Sequence, residues 1–457
     1  MLLETSYLKF YSTCGGSKKM RNRSAIHLCL IVGLVLLVVQ LSLLAILLYP
    51  FASDDVFPID DIAAIVNIST KLHSSLLVVD ENILHNYVSN KQKVKYCLFC
   101  GVSYPVTFAI FFQGVKHSEN LHSMFRSAGF QTALLLNIRP LEASPSLSVN
   151  VPLCLVLKRK VIIHIVIFHE REGNFWWHGS LLSDPSADNV LMSMGISTAK
   201  SQLMKQEGAF EKFEVDQIYV DGLKLLIPKD VTQFLKESAN SHFIECSHKL
   251  ANSFHRKYGK DTSHEALKFA HKAWKLLSRT KTILDKIGVR FWLSSGTCLG
   301  YFRQCDIISY SRDVDVGIFI KDYKENIVTE FINHGFTLKH WFGKVNDSLE
   351  LSFMSGDLKL DMFFFYEEGN SMWNGGTQAK SGKKFKYIFP RFNLCWTEFL
   401  ELKVRVPCDL TSYIEANYGP DWFTPVTHWD WKSSPPNVVE NGMWPPEEWY
   451  QVIKVYN

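Results

Sequence analysis

Three aspartates in two strand-like segments are the side chains of this chain best suited to hold a metal ion. Asp313 and Asp315 are separated by one apolar residue, so in an extended backbone both carboxylates project from one face and repel each other. Asp361 interrupts a largely apolar segment, where a lone buried charge would cost several kcal/mol. A shared Mg²⁺ or Mn²⁺ ion would relieve both costs. The sequence therefore predicts that all three are metal ligands and catalytic residues; the alternative is two solvated strand-end aspartates and an Asp361 paired with a lysine.

A turn of small residues, Ser295-Gly296-Thr297, directly follows a strand-like run that begins at Val289. Glycine and hydroxyl side chains let a phosphate approach backbone N–H groups, so we expect this turn to bind substrate. Arg312 adjoins Asp313 and is expected to position substrate.

Lysines and tryptophans near the C-terminus allow two interpretations each. Lys383 and Lys384 follow a Gly-Gly turn, and they either contact donor phosphates or lie on a solvated loop. Five tryptophans either stack on a base or sugar or, as large aromatic residues more often do, fill a core; they are Trp422, Trp429, Trp431, Trp444 and Trp449.

The elements around these residues predict a domain with a nucleotidyltransferase-like fold and a mixed sheet. Apolar residues recur every three or four positions from Thr262 to Ile287, which predicts an amphipathic helix with a capping box formed by Thr262 and Glu265. A strand, the small-residue turn, a short helix at Cys298 to Arg303 and the two aspartate strands follow in that order. In the nucleotidyltransferase-like fold this order places the turn beside three metal-binding carboxylates.

An earlier region predicts a second, mixed α/β domain. Strand-like runs occur at residues 104–113, 132–138, 161–168 and 217–220, and Val220-Asp221-Gly222-Leu223 is typical of a hairpin turn. The polar and aromatic residues between His169 and His178 match no metal or nucleophile pattern, and we interpret them as structural or partner-facing.

The N-terminal part predicts a membrane anchor. Ala25 to Leu48 contains no Asp, Glu, Lys or Arg and as a helix would span roughly 36 Å, enough to cross a bilayer. Basic residues precede it and acidic residues follow it, so the positive-inside rule places the N-terminus in the cytosol. A cleaved signal peptide is the less favoured alternative. Residues 1–24 carry the whole net charge of +4, and a neutral remainder argues against nucleic acid as a partner.

Cysteines and sequons beyond the anchor fit a secretory compartment. Eight cysteines lie there, at positions 97, 100, 154, 246, 298, 305, 395 and 408; their pairing, or binding of zinc, stays open. Sequons at Asn67 and Asn346 are predicted glycosylation sites.

The motifs in the C-terminal half resemble those of the LicD/fukutin family. The similar segments are Phe291 to Gly300, Asp313 to Ile318, Leu360 to Tyr366, Trp373 to Lys380, Tyr413 to Gly419 and Trp429 to Asn437. The resemblance extends back to His169-Glu170-Arg171 and Val220 to Leu223, whereas the tail and the anchor differ in sequence.

This resemblance implies a single-pass type II Golgi membrane protein whose lumenal part transfers ribitol 5-phosphate from CDP-ribitol to the O-mannosyl glycan of alpha-dystroglycan, with Mg²⁺ or Mn²⁺. Partner glycosyltransferases of the same Golgi or ER pathway are also implied. Two alternatives stay open: a glycosyltransferase that uses a nucleotide-sugar, and a non-catalytic Golgi scaffold for partner glycosyltransferases.

The expected domain organisation is a cytosolic tail at residues 1–24, an anchor at 25–48 and a stem at 49–92. An α/β recognition or assembly domain at 93–250, a connecting helical segment at 251–288 and a LicD-like catalytic domain at 289–457 follow.

Overall fold

The computed structural model describes residues 32–40, 59–71, 74–90, 98–99, 105–112, 118–141, 144–180, 187–195, 206–426 and 428–456. The chain divides into two compact units, Met1–Phe57 and Pro58–Asn457. In the first unit, residues 32–40 are helical and exposed, while the rest of the predicted tail and anchor lies outside the described residues. Among the residues that are described, no helix has both the length and the apolar character needed to span a bilayer.

The first half of the second unit is built on a sheet of nine described strands in the order β3-β4-β5-β2-β1-β9-β8, with β6 paired to β5 and β7 paired to β6. The strands are β1 (Leu77–Val78), β2 (Val106–Phe111), β3 (Gln131–Leu141), β4 (Ser144–Lys158), β5 (Ile162–Arg171), β6 (Phe175–His178), β7 (Gly208–Glu211), β8 (Val215–Val220) and β9 (Leu223–Pro228). The helices are α1 (Ile59–Lys71), α2 (Glu81–Asn90), α3 (Ser118–Ser127), α4 (Ala187–Ser193) and α5 (Val231–Ser238).

The four strands predicted in this region correspond to β2, β3, β5 and β8, and the predicted hairpin turn joins β8 to β9. Asp221 and Gly222 have φ angles of 51° and 76°, as a primed two-residue turn requires. The sequence analysis missed β4. Strand β1 pairs with both β2 and β9, so the folded region begins earlier than residue 93 and includes much of the segment interpreted as a stem.

Two helices, α6 (His248–Tyr258) and α7 (His264–Lys286), lead into the second half. Helix α7 matches the amphipathic helix predicted there, but the predicted capping box is wrong. The N-cap residue is Ser263, whose side chain accepts a hydrogen bond from the N–H of Ala266.

The second half contains a mixed sheet of nine described strands and a separate hairpin, β17–β18. Strand β14 lies between β11, to which it is parallel, and β13, to which it is antiparallel. The strands are β10 (Phe291–Leu293), β11 (Asp313–Phe319), β12 (Thr337–Lys344), β13 (Asp347–Ser355), β14 (Leu358–Glu368), β15 (Ser371–Gln378), β16 (Lys383–Pro390), β17 (Leu394–Phe399), β18 (Leu402–Pro407), β19 (Val438–Met443) and β20 (Ile453–Val455). The helices are α8 (Ser295–Gln304), α9 (Ile327–Asn333), α10 (Leu410–Tyr418) and α11 (Trp449–Val452).

An apolar core fixes the two aspartate strands. Val316 and Ile318 of β11 and Leu360, Met362 and Phe364 of β14 are fully buried. Trp292 of β10 packs so closely over Gly317 that an added Cβ would lie 2.3 Å from the indole, which explains why glycine stands there. The register of β11 on β14 therefore depends on packing as well as on hydrogen bonds.

The described residues contain two disulfides, and both involve the second half. Cys246 pairs with Cys305 and Cys395 with Cys408, whereas Cys154 and Cys298 are buried free thiols. Cys97 and Cys100 lie outside the described residues.

Candidate functional site

The three aspartates converge. Strands β11 and β14 are parallel neighbours in which Asp315 lies opposite Asp361 and Asp313 opposite Lys359. The carboxylate oxygens of all three aspartates lie within 4.8 Å of one another. Asp315 and Asp361 are only 6% and 4% exposed. The structure therefore brings together the three side chains that sequence reasoning selected.

Lys359 is the cation of this cluster. Its ammonium nitrogen lies 2.7 Å from Oδ2 of Asp361 and 3.7 Å from Oδ2 of Asp313. The pairing of Asp361 with a lysine, weighed above as an alternative to a metal site, is thus present as well. A single ammonium group cannot balance three ionised carboxylates, so the cluster still favours a further cation or a proton.

The pKa shifts in the cluster reflect this excess of negative charge. Burial raises the pKa of Asp315 well above its usual range, and repulsion from Asp313 and Asp361 raises it further. Burial also raises the pKa of Asp361, although Lys359 and Ser352 act in the opposite direction. Burial alone would lower the pKa of Lys359, but the charges of the three aspartates outweigh that effect and raise it.

The predicted small-residue turn is the first turn of α8, and it holds Asp315. The N–H of Gly296 donates to Oδ2 of Asp315 at 3.0 Å, and the hydroxyl of Thr297 accepts from the N–H of Asp315 at 2.8 Å. Ser295 has a φ of 41°, an uncommon backbone conformation for a residue with a Cβ. Direct contact of these three residues with substrate stays a prediction; the structure shows Gly296 and Thr297 positioning Asp315.

Hydroxyl groups orient the other two aspartates. Ser311 donates to Oδ1 of Asp313 at 3.0 Å, and Ser352 donates to Oδ1 of Asp361 at 2.6 Å. Arg312 is exposed next to Asp313, and its role in positioning substrate stays a prediction.

The two lysines proposed for phosphate binding lie further away in the sheet. Lys383 and Lys384 are on β16, two strands from β14, and are paired with Glu440 and Asp347. The ammonium group of Lys384 also lies 4.2 Å from the ring centre of Trp444. Contact with a donor phosphate would require these pairs to open.

Sequence reasoning missed Glu350. On β13, Ser352 lies opposite Asp361 and Glu350 lies opposite Phe363, so Glu350 shares the face of the sheet that carries the aspartates. Burial, and next the charge of Asp361, raise the pKa of Glu350 to about 8. The alternation of apolar Leu349, Leu351 and Phe353 with two polar residues was the available signal.

Two tyrosines were missed as well. Burial raises the pKa of Tyr418, at the end of α10, and the charges of Asp315 and Asp313 add to the effect. Burial likewise raises the pKa of Tyr387 on β16, followed by the charge of Glu350. Both phenols therefore lie within electrostatic reach of the acidic groups.

Comparison with known proteins gives matches along most of the chain. Residues 63–274 match the family model "Fukutin N-terminal", and residues 288–409 match "LicD/FKTN/FKRP, nucleotidyltransferase domain". The chain is 48% identical over 394 residues to the human protein named ribitol-5-phosphate transferase FKTN, which covers 83% of this chain and 85% of that protein.

Other relatives show the same pattern. The mouse protein of the same name is 46% identical over 394 residues, covering 83% of this chain and 85% of the mouse protein. An uncharacterised Caenorhabditis elegans protein is 28% identical over 248 residues, which is 51% of this chain and 61% of the worm protein. The second family model spans the strands that carry all three aspartates.

Proposed function

This chain belongs to the LicD/fukutin family, and from that premise we propose that it is a ribitol-5-phosphate transferase that uses CDP-ribitol as donor and a divalent metal ion as cofactor. The observation that carries the proposal is the convergence of Asp313, Asp315 and Asp361 within 4.8 Å in the family's nucleotidyltransferase domain. Mammalian relatives named as ribitol-5-phosphate transferases cover most of the chain and support the reaction class.

The donor set fits Mg²⁺ or Mn²⁺. Both ions prefer oxygen ligands, and clustered carboxylates whose protonation is favoured by mutual repulsion gain most from a divalent ion. Asp313, Asp315 and Asp361 would hold the ion. When bound, it would neutralise charge on the phosphate oxygens and on the leaving group.

The reaction requires mainly positioning from the protein. A hydroxyl oxygen of the acceptor forms a bond to the phosphorus that carries ribitol, while the bond from that phosphorus to the oxygen of CMP breaks and CMP departs. The first turn of α8 keeps Asp315 in place through Gly296 and Thr297. Glu350 lies on the same face of the sheet and, when ionised, is suited to accept the proton of the attacking hydroxyl.

We propose the O-mannosyl glycan of alpha-dystroglycan as acceptor and the Golgi lumen as the place of reaction. Support comes from the uncharged segment at residues 25–48 with its basic N-terminal flank, and from the two disulfides, which fit an oxidising compartment. Partner glycosyltransferases of the same pathway are expected at that location. The sequon residues Asn67 and Asn346 are both exposed.

The decisive experiment uses the purified full-length protein with an acceptor glycopeptide. We expect CDP-ribitol to add the mass of ribitol phosphate, and UDP- and GDP-sugars to add nothing. Asp315→Asn should abolish transfer, whereas Asp357→Asn should not, because Asp357 is an exposed residue paired with Lys272. A hexose mass would instead identify a glycosyltransferase, and full cellular activity of the Asp315→Asn protein would identify a scaffold.

Location is tested separately in cells. Glycosidase treatment should reduce the apparent mass of the protein, and Asn67→Gln combined with Asn346→Gln should remove that reduction. A wild-type protein that glycosidase leaves unchanged would contradict a lumenal catalytic part.

A further inference from the structure

Two tryptophans near the C-terminus, Trp429 and Trp431, are half-exposed. Trp429 and Trp431 are 41% and 39% exposed, whereas Trp444 is 4% exposed. The interpretation that the C-terminal tryptophans fill a core thus fits Trp444 but not Trp429 and Trp431. Large aromatic residues that remain partly open to solvent are enriched at binding surfaces.

Each of the two tryptophans contacts a tyrosine on an element that adjoins the site. The ring of Trp429 packs on Tyr418 of α10 with 4.9 Å between centroids, and the Tyr413 hydroxyl of the same helix is hydrogen-bonded to Ser294, directly before the first turn of α8. The backbone oxygen of Trp431 accepts a hydrogen bond from the Tyr387 hydroxyl at 2.8 Å. Tyr387 lies opposite Asn374 of β15, and Asn374 lies opposite Phe365 of β14, so Tyr387 shares the face of the sheet that carries Asp361. Both tryptophans therefore contact elements that adjoin the site.

Hydrogen bonds restrain the segment that carries the two indoles. Asp430 accepts hydrogen bonds from the N–H of Lys432 at 3.2 Å and from the hydroxyl of Ser433 at 2.9 Å, and its own N–H donates to the hydroxyl of Ser434 at 2.9 Å. The indole of Trp431 also lies over Gly376, where an added Cβ would come within 3.2 Å of the ring. Binding would therefore cost little ordering of this segment.

We propose that Trp429 and Trp431 form a binding platform for a pyranose ring of the acceptor glycan, on which the apolar face of the sugar stacks. This inference rests on the proposed function. An acceptor that is part of a glycoprotein needs a subsite open to solvent, whereas a small nucleotide donor is expected in an enclosed pocket. Asp430 and Lys432 beside the indoles provide charged groups for the sugar hydroxyls.

Kinetics of single variants test the platform. Trp429→Ala and Trp431→Ala should each raise the KM for the acceptor glycopeptide about tenfold, which corresponds to about 1.4 kcal/mol. The KM for CDP-ribitol and kcat should change less than about twofold. Trp429→Phe and Trp431→Phe keep a flat ring and should recover most of the loss. Tyr219→Ala, at an exposed tyrosine of the distant β8 strand, is the matched control and should change neither constant.

A binding measurement separates failure of this inference from failure of the proposed function. The full-length Asp315→Asn protein should bind the acceptor glycopeptide without donor, with quenching of tryptophan fluorescence, and the two alanine substitutions in that background should weaken binding about tenfold. Opening the sugar rings with periodate should have the same effect. An unchanged acceptor constant in both alanine variants would overturn the platform, and so would a raised KM for CDP-ribitol, which would indicate stacking of cytosine instead.

Discussion

At the scale of single residues, Lys359 and Glu350 have opposite effects on the net charge around the three aspartates. Lys359 supplies positive charge at 2.7 Å from Asp361, while Glu350 adds a further acidic group on the same face of the sheet. The balance between the charges of Lys359 and Glu350 determines how strongly the cluster attracts a cation. We derive a separate prediction from each residue.

Removing the ammonium group of Lys359 should make the protein depend more on metal. In Lys359→Met three carboxylates remain without their cation, so we expect the metal-free protein to lose about 1–3 kcal/mol of unfolding free energy. Added Mn²⁺ should then raise the melting temperature by more than in the wild type. Lys272→Met, which breaks the exposed pair with Asp357, is the control and should change neither quantity measurably. An equal response to Mn²⁺ in variant and wild type would contradict the metal site.

The pKa of Glu350 predicts a dependence of stability on pH. Its folded value of about 8 lies above the ordinary value of 4.5, so the folded protein holds this proton more tightly than the unfolded chain. The contribution of Glu350 is therefore fully present below pH 4.5 and is lost as the pH rises towards 8. In metal-free urea unfolding, Glu350→Gln should be more stable relative to wild type at pH 8 than at pH 5.

The exposed Glu440→Gln serves as the control for that comparison, since Glu440 makes an exposed pair with Lys383. Identical pH dependence in wild type and Glu350→Gln would show that Glu350 keeps an ordinary pKa.

At the scale of elements, the contact between α8 and β11 positions the site. The helix begins directly after β10, and its first turn meets β11 at Asp315. This arrangement directs a helix N-terminus, which favours negative charge, at a carboxylate. The position of the Asp315 carboxylate therefore depends on Gly296 and Thr297.

Thr297→Val tests this dependence. The substitution keeps the shape of the side chain but leaves the buried N–H of Asp315 without its 2.8 Å acceptor, at a cost of about 1–3 kcal/mol. We expect lower stability and at least tenfold lower transfer activity, measured by thermal unfolding and by product mass. Thr297→Ser keeps the hydroxyl and should restore most of both. If Val and Ser variants behave alike, the hydroxyl has no positioning role.

At the scale of the whole second unit, Arg171 connects the first large sheet to the β17–β18 hairpin. It extends from β5, pairs with Glu398 of β17 at 2.6 Å and with Glu245 at 2.7 Å, and its guanidinium lies 5.6 Å from the ring centre of Trp177. Arg171 belongs to the residues interpreted from sequence as structural or partner-facing, and its ion pairs link the two halves of one compact unit.

Arg171→Met should remove the ion pairs that link the two halves. Two partly buried carboxylates lose their cation, so we expect the free energy of unfolding in urea to fall by about 1–3 kcal/mol. Arg391→Met breaks an exposed pair with Glu367 and should cost less than about 1 kcal/mol. Equal effects of the two substitutions would mean that Arg171 does not couple β5 to the β17–β18 hairpin.

The sequence by itself determined the chemistry of the three aspartates and the order of elements around them. Alternation along a strand fixes Asp313 and Asp315 on one face, and helical periodicity locates α7, because both patterns are local consequences of backbone geometry. The family motifs also identified the reaction class from the sequence, because each motif consists of contiguous residues.

Only the tertiary structure decided which distant residues meet these aspartates. The parallel pairing of β11 with β14 set Asp361 opposite Asp315 and brought Lys359 between the carboxylates. The pairing of β13 with β14 added Glu350 to the same face of the sheet, and packing against α10 brought Trp429 onto Tyr418. Strand pairing joins residues far apart in the chain, and its partners are selected by the burial of whole faces, which no local pattern specifies.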